Sequence, residues 1–186
     1  MPPIRNYFLS CLILLLITPA LADDHEGIIV EGVFFPANYN TLQLQGQGLL
    51  RVGLVIKAYV AAYYQAQPGA SHEDPTSGRR LEIEYFHSIA AEDFVQATQA
   101  GIAANTSADD QQQLSTSLPA FLDLYQAVEP GDRYSLTWIP QQGLELALNG
   151  QPLGQLNDAL LASALFSIWL GEEPASESLK EDLLNR

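Results

Sequence analysis

Basic residues, histidines and cysteines are scarce in this chain. Its 186 residues hold eight Lys and Arg against 22 Asp and Glu, three histidines and one cysteine. The net charge of −14 disfavours nucleic acid and anionic lipid surfaces as partners, because both need a cationic face to displace their counterions. The lone cysteine, Cys11, lies in an apolar leader, so the folded part has no disulfide to rely on. There is no Gly-x-Ser-x-Gly elbow, no phosphate loop and no pair of histidines at helical spacing. No cofactor is expected. His72, in a loop, and His87, at a strand end, read as structural or solvated. A core must supply the stability, and a chain of this size buries roughly 70% of its unfolded surface, enough for one domain.

What is present begins with the leader. Arg5, the apolar run from Tyr7 to Thr18, and Ala20-Leu21-Ala22 have the layout of a secretory signal peptide. The apolar run is too short for a comfortable bilayer span. The expected organisation is therefore a signal peptide at 1–22 and one exported, periplasmic domain at 23–186. All the acidic residues follow Ala22 and one basic residue precedes it, so processing would leave the domain one charge more negative. Cleavage there would expose Asp23-Asp24-His25. A free amine, two backbone amides and the His25 imidazole can enclose Cu(II) or Ni(II) in a square plane.

The centre of the expected core is a helix near the far end. No charge occurs from Ala159 to Leu170, and Leu161, Leu165, Ile168 and Trp169 recur at helical spacing. A helix apolar nearly all round must be buried. Asn157 or Asp158 can cap it, Gly171 can end it in the left-handed region, and Pro174 blocks continuation. A second helix is expected from Ser176 to Leu184.

Before it, strands are expected at Ile28–Phe35, Thr41–Gly48, Leu54–Tyr64 and Leu81–His87. Leu42, Leu44, Gly46 and Gly48 share one face of the second. Glu82 and Glu84 share a face of the fourth and read as solvent-facing. Ala66–Gly78 is a loop by composition. Ala90–Ala104 has helical spacing, Ser107 and Asp110 form a capping box, and Pro119 should kink or restart the helix that follows. Strands return at Arg133–Ile139 and Leu144–Leu148, with Asn149-Gly150 a turn signal after them. This order implies an α+β fold: a large antiparallel sheet with helices packed on one face.

One stretch combines charge with aromatic surface: Gly46-Gln-Gly48-Leu-Leu-Arg51-Val-Gly53-Leu-Val-Ile-Lys57-Ala-Tyr59-Val-Ala-Ala-Tyr63-Tyr64. An arginine among apolar residues seeks a carboxylate or another planar anion. It can find one in a bound ligand or among the acids of the chain. Tyr59 and Tyr63 can donate hydrogen bonds while their rings line a pocket.

This stretch, together with Leu81-Glu-Ile-Glu-Tyr-Phe86, Glu92-Asp-Phe94 and Phe166-Ser-Ile-Trp-Leu-Gly-Glu-Glu-Pro174, resembles the bacterial, exported branch of the chalcone isomerase-like family. The resemblance covers about 145 residues. It implies an open-faced β-sandwich, a large antiparallel sheet carrying helices. Plant members close a flavanone ring; relatives bind fatty acids without catalysis, holding the carboxylate with an arginine and a tyrosine. By motif Arg51 matches that arginine. Tyr59 matches a position that is tyrosine in the binders and threonine in the enzymes. The resemblance thus implies non-catalytic binding of a small amphipathic acid such as a fatty acid, at Arg51 and Tyr59, with Tyr63 of the same stretch a further candidate. The alternatives are an isomerase in which Arg51 stabilises an oxyanion, and a protein-interaction module without a ligand. As one strand, Arg51 to Tyr59 would span roughly 26 Å. They can meet one carboxylate only if the chain turns near Gly53.

Overall fold

The computed structural model describes residues 26–53, 55–67, 71 and 74–186. The leader, its cleavage site and His25 lie outside the described residues. Among the described residues, nine strands and five helices form. The strands are β1 (Gly27–Val30), β2 (Val33–Pro36), β3 (Asn38–Tyr39), β4 (Leu42–Val52), β5 (Ile56–Gln65), β6 (Arg79–Tyr85), β7 (Arg133–Ile139), β8 (Gly143–Leu148) and β9 (Gln151–Leu156). The helices are α1 (Ala91–Asn105), α2 (Ala108–Gln113), α3 (Ser117–Leu122), α4 (Ala159–Leu170) and α5 (Glu177–Leu183).

Strands β3 to β9 make one curled antiparallel sheet in chain order, so each strand pairs with its predecessor. Helices α1 to α3 are inserted between β6 and β7, which still lie side by side. The helices cover one face of the sheet. There Tyr63, Leu81, Ile83, Tyr134, Leu136 and Leu146 meet Ile102, Phe121, Leu161, Leu165 and Ile168 in the main core. The other face carries a smaller core, in which Val33 and Phe35 of the β1–β2 hairpin cover Leu42, Val60, Ala62 and Tyr64. The α+β layer order expected from the sequence is the one observed.

Several local expectations are corrected. Ile28–Phe35 is a hairpin rather than one strand, because Glu31 and Gly32 both adopt positive φ (51° and 88°), as a two-residue type I′ turn requires. The even alternation expected along Thr41–Gly48 is broken at Gln45. Leu44 lies opposite Tyr64 but Gly46 lies opposite Tyr63, so one residue of β4 is left over as a bulge. Leu42 and Leu44 therefore face the small core, and Gly46 and Gly48 lie under α5. The last strand, β9, lacks an alternating apolar pattern and was not expected. It is paired to β8 through the Asn149-Gly150 turn.

Glu82 does not face solvent. It is 2% exposed and accepts from Arg80 at 2.7 Å, Arg133 at 3.2 Å and Tyr39 at 2.8 Å, beneath the β1–β2 hairpin. Burial of a carboxylate needs such partners. Arg79, on the opposite face of the same strand, is buried too. It donates to Ser163 at 3.1 Å and lies over the Phe166 ring. The small residues of α4 leave room for it.

Helix α4 starts as expected, with the Asp158 carboxylate accepting from the Leu161 amide at 3.0 Å. Its end differs. Gly171 is extended (φ −74°, ψ −170°), and glycine is needed there because a Cβ would lie 2.3 Å from Asn105 Oδ1. Asn105 holds the following loop by bonding both the N–H and the C=O of Glu173 (2.9 and 2.8 Å). Lys180 supplies the missing C-terminal donor, to the Gly171 carbonyl at 2.6 Å. Helix α1 crosses α4 where Gly101 admits Ile168; a Cβ there would lie 2.9 Å from Ile168. No described helix is long and apolar enough to cross a membrane.

Candidate ligand-binding site

The helices do not fill the space above the sheet. A cavity of about 550 Å³ remains between β4 to β8 and helices α1 and α4. That volume falls inside the roughly 300–1,000 Å³ typical of ligand sites. Its floor is Leu81, Ile83, Leu136 and Leu146; Leu165 and Ile168 of α4 and Phe94 and Ala97 of α1 form the walls. The alternation of β6, β7 and β8 explains the floor, since every second residue points to the helices.

One wall is aromatic. Tyr85 and Tyr134 meet Phe94 edge-on, each with ring centroids 5.3 Å apart, and Tyr125 stacks on Phe94 at 5.4 Å. Tyr134 is satisfied by the Gln126 backbone, accepting from its N–H and donating to its C=O, both at 2.8 Å. Three polar positions remain in the lining, the Tyr85 hydroxyl among them. The Tyr59 oxygen accepts from the Trp169 indole N–H at 2.9 Å, which leaves the phenol proton for another acceptor. The Thr98 and Tyr125 hydroxyls are 2.9 Å apart. As a pair they use one proton between them and keep one to offer. Burial pushes Tyr59 and Tyr125 up to about 12, so both stay protonated donors at neutral pH. Asp93, Ala97, Ala100 and Glu173 are exposed and rim the cavity. Among the described residues, the lining contains these two acids and no lysine, arginine or histidine.

The three residues singled out in the sequence do not converge. The chain does turn at Gly53, whose φ is +63°. However, the residue opposite Tyr59 is Leu50, and these two share the cavity face. Arg51, one residue on, takes the other face. There it lies 3.6 Å from Glu31 of the β1–β2 turn, with its side chain 45% exposed. Lys57 binds the same carboxylate at 2.5 Å. Lys57 and Tyr59 would share a face on a regular strand. A second bulge, at Ala58, separates them, because Arg51 pairs with Lys57 while Leu50 pairs with Tyr59. Tyr63 is fully buried beside Phe166, its hydroxyl without a hydrogen-bond partner among the described residues, and it does not line the cavity. Of the three, Tyr59 alone reaches the cavity. Trp169 belongs to the cavity wall and is half-buried, not enclosed as the charge-free helix suggested.

Thr98 falls within the helix expected at Ala90–Ala104 and Tyr125 in the segment after Pro119, and neither was a candidate site residue. The available signal was a threonine within an otherwise apolar stripe of α1. Asp93 and Glu173 gave no signal, because acids are common throughout this chain.

An antiparallel sheet with helices on one face, and an apolar cavity between them, defines the class: an α+β layer protein with an interior cavity. The chain belongs to the chalcone isomerase-like family, whose model matches residues 26–185. Among solved structures it is similar to the fatty-acid binding protein of Arabidopsis thaliana, at 19% identity and a TM-score of 0.65, over 86% of this chain and 96% of that one. No curated protein matches the sequence.

Proposed function

We propose that this protein binds a small amphipathic ligand of the fatty-acid class without transforming it. The single observation that carries this is the cavity: about 550 Å³, apolar on floor and walls, with hydroxyls at only a few points. Each methylene of an alkyl chain moved into such a space contributes about 0.8 kcal/mol of gross transfer free energy. The similarity in fold to a fatty-acid binding protein supports the same reading. Arg51, which an oxyanion-stabilising isomerase would need at the cavity, is instead engaged by Glu31 on the other face of the sheet. We further propose that the protein is exported to the periplasm after loss of residues 1–22 and belongs to an exported bacterial branch of the family.

The test is extraction of protein purified from the periplasm, with mass spectrometry of the released lipid, followed by titration with a fluorescent long-chain fatty acid. Leu136→Trp, which fills the cavity from its floor, should abolish saturable binding while leaving the circular dichroism spectrum native. Absence of any bound lipid, together with unchanged probe binding by a folded Leu136→Trp, would refute lipid binding in this cavity.

A further inference from the structure

The polar groups of the cavity specify more than a tail. Its three interior polar positions are hydroxyls: Tyr59, whose oxygen is occupied by Trp169 at 2.9 Å, the Thr98–Tyr125 pair at 2.9 Å, and Tyr85. Among the described residues, its charged groups are the two rim carboxylates, Asp93 and Glu173. The two cations beside the β4–β5 turn, Arg51 and Lys57, take the other face and share Glu31. Such a site suits one kind of head. An ionised carboxylate placed among these groups would meet at most three hydroxyl donors and no counter-charge, and an unpaired buried charge is costly. The rim acids would add like-charge repulsion. A hydroxyl or amide head both donates and accepts, as the Thr98–Tyr125 pair does, and loses far less on leaving water.

We infer that the cavity selects amphiphiles with an uncharged head, such as a long-chain alcohol or amide, over ionised fatty carboxylates. This rests on the proposed lipid-binding function and narrows its ligand class. Thr98, Tyr125 and Tyr59 recognise the head, and Arg51 takes no part.

Calorimetric titration with decan-1-ol and with decanoate separates the possibilities. At pH 8 a carboxylic acid is almost wholly ionised. The wild type should bind decan-1-ol at least tenfold more tightly than decanoate. Thr98→Val removes one hydroxyl at constant shape and should weaken decan-1-ol about fivefold, the scale of one neutral hydrogen bond. Should that variant not fold, Tyr59→Phe makes the same test at a second donor. Arg51→Ala should leave the preference between the two ligands unchanged. Equal or tighter binding of decanoate, or selective loss of decanoate in Arg51→Ala, overturns the inference while lipid binding stands. Failure of the wild type to bind either chain removes lipid binding itself, and the inference with it.

Discussion

Replacing Gly46 by alanine probes the position with the least room for a Cβ among the described glycines. A Cβ on Gly46 would lie 2.2 Å from the Asp182 carbonyl oxygen and 2.6 Å from that of Leu183. Both are backbone atoms at the end of α5, so no side chain can swing aside. A gap of about 1 Å must open to restore ordinary contact. The helix cannot move freely, because Leu179 and Leu183 are 1% and 0% exposed in the main core. Overpacking of this kind costs about 1–3 kcal/mol when the structure adjusts. Complete undocking would expose the two leucines, about 1.5–3 kcal/mol each, and sets the ceiling. The expected loss is therefore about 2–4 kcal/mol. In a domain of this size each kcal/mol lowers the melting temperature by roughly 2–4 °C. Urea unfolding of wild type and variant measures the difference, and amide exchange should show the lost protection concentrated in α5. Gly53→Ala is the control. A Cβ there meets nothing within 4 Å, and only the positive φ of 63° opposes it, worth about 1–2 kcal/mol. If Gly46→Ala destabilises no more than Gly53→Ala, the packing of α5 on β4 is not the constraint described.

Three further outcomes are expected. Glu82→Leu should cost about 3 kcal/mol in urea unfolding, the low end for breaking a buried pair, because Arg133 keeps Glu84 at 2.7 Å; a loss under about 1 kcal/mol would mean the cluster is replaceable by apolar packing. Tyr39, Tyr59, Tyr63 and Tyr125 are pushed up to about 12, first by burial and for Tyr39 also by Glu82, against about 10 in the unfolded chain. Their folded values are raised, so their contribution is complete below about pH 10 and is lost as the pH rises towards 12. Absorbance at 295 nm should thus rise together with loss of the circular dichroism signal, and ionisation near pH 10 in a still-folded protein would contradict their burial. Periplasmic material should have the intact mass of residues 23–186, and a mass that retains Met1 to Ala22 would dismiss the processed leader.

The sequence alone determined the elements whose cause is local. The charge-free run of α4, its cap at Asn157 or Asp158, the Ser107 cap and the alternation of β7 and β8 each follow from a few neighbouring residues. Each forms, with Asp158 as the cap and Ser107 accepting from the Asp110 amide though without the reciprocal bond of a capping box. Those elements in that order were enough for the α+β layers, because a sheet and a helix with one apolar side must bury it against each other. Face assignment was not local. Two single-residue bulges, at Gln45 and Ala58, reverse which side chains look towards the helices. A period-2 pattern carries no mark of where it will slip by one. That slip decided the site. It joined Tyr59 to Trp169 at 2.9 Å across 110 residues and sent Lys57 towards Glu31, while the Leu50–Tyr59 register turned Arg51 the same way. Likewise the alternation around Glu82 does not announce its burial, since Arg133, Tyr39 and the hairpin that help make it tolerable come from β7, β3, β1 and β2. The tertiary structure decided charge environment and cavity shape because both are sums over residues that only folding brings together.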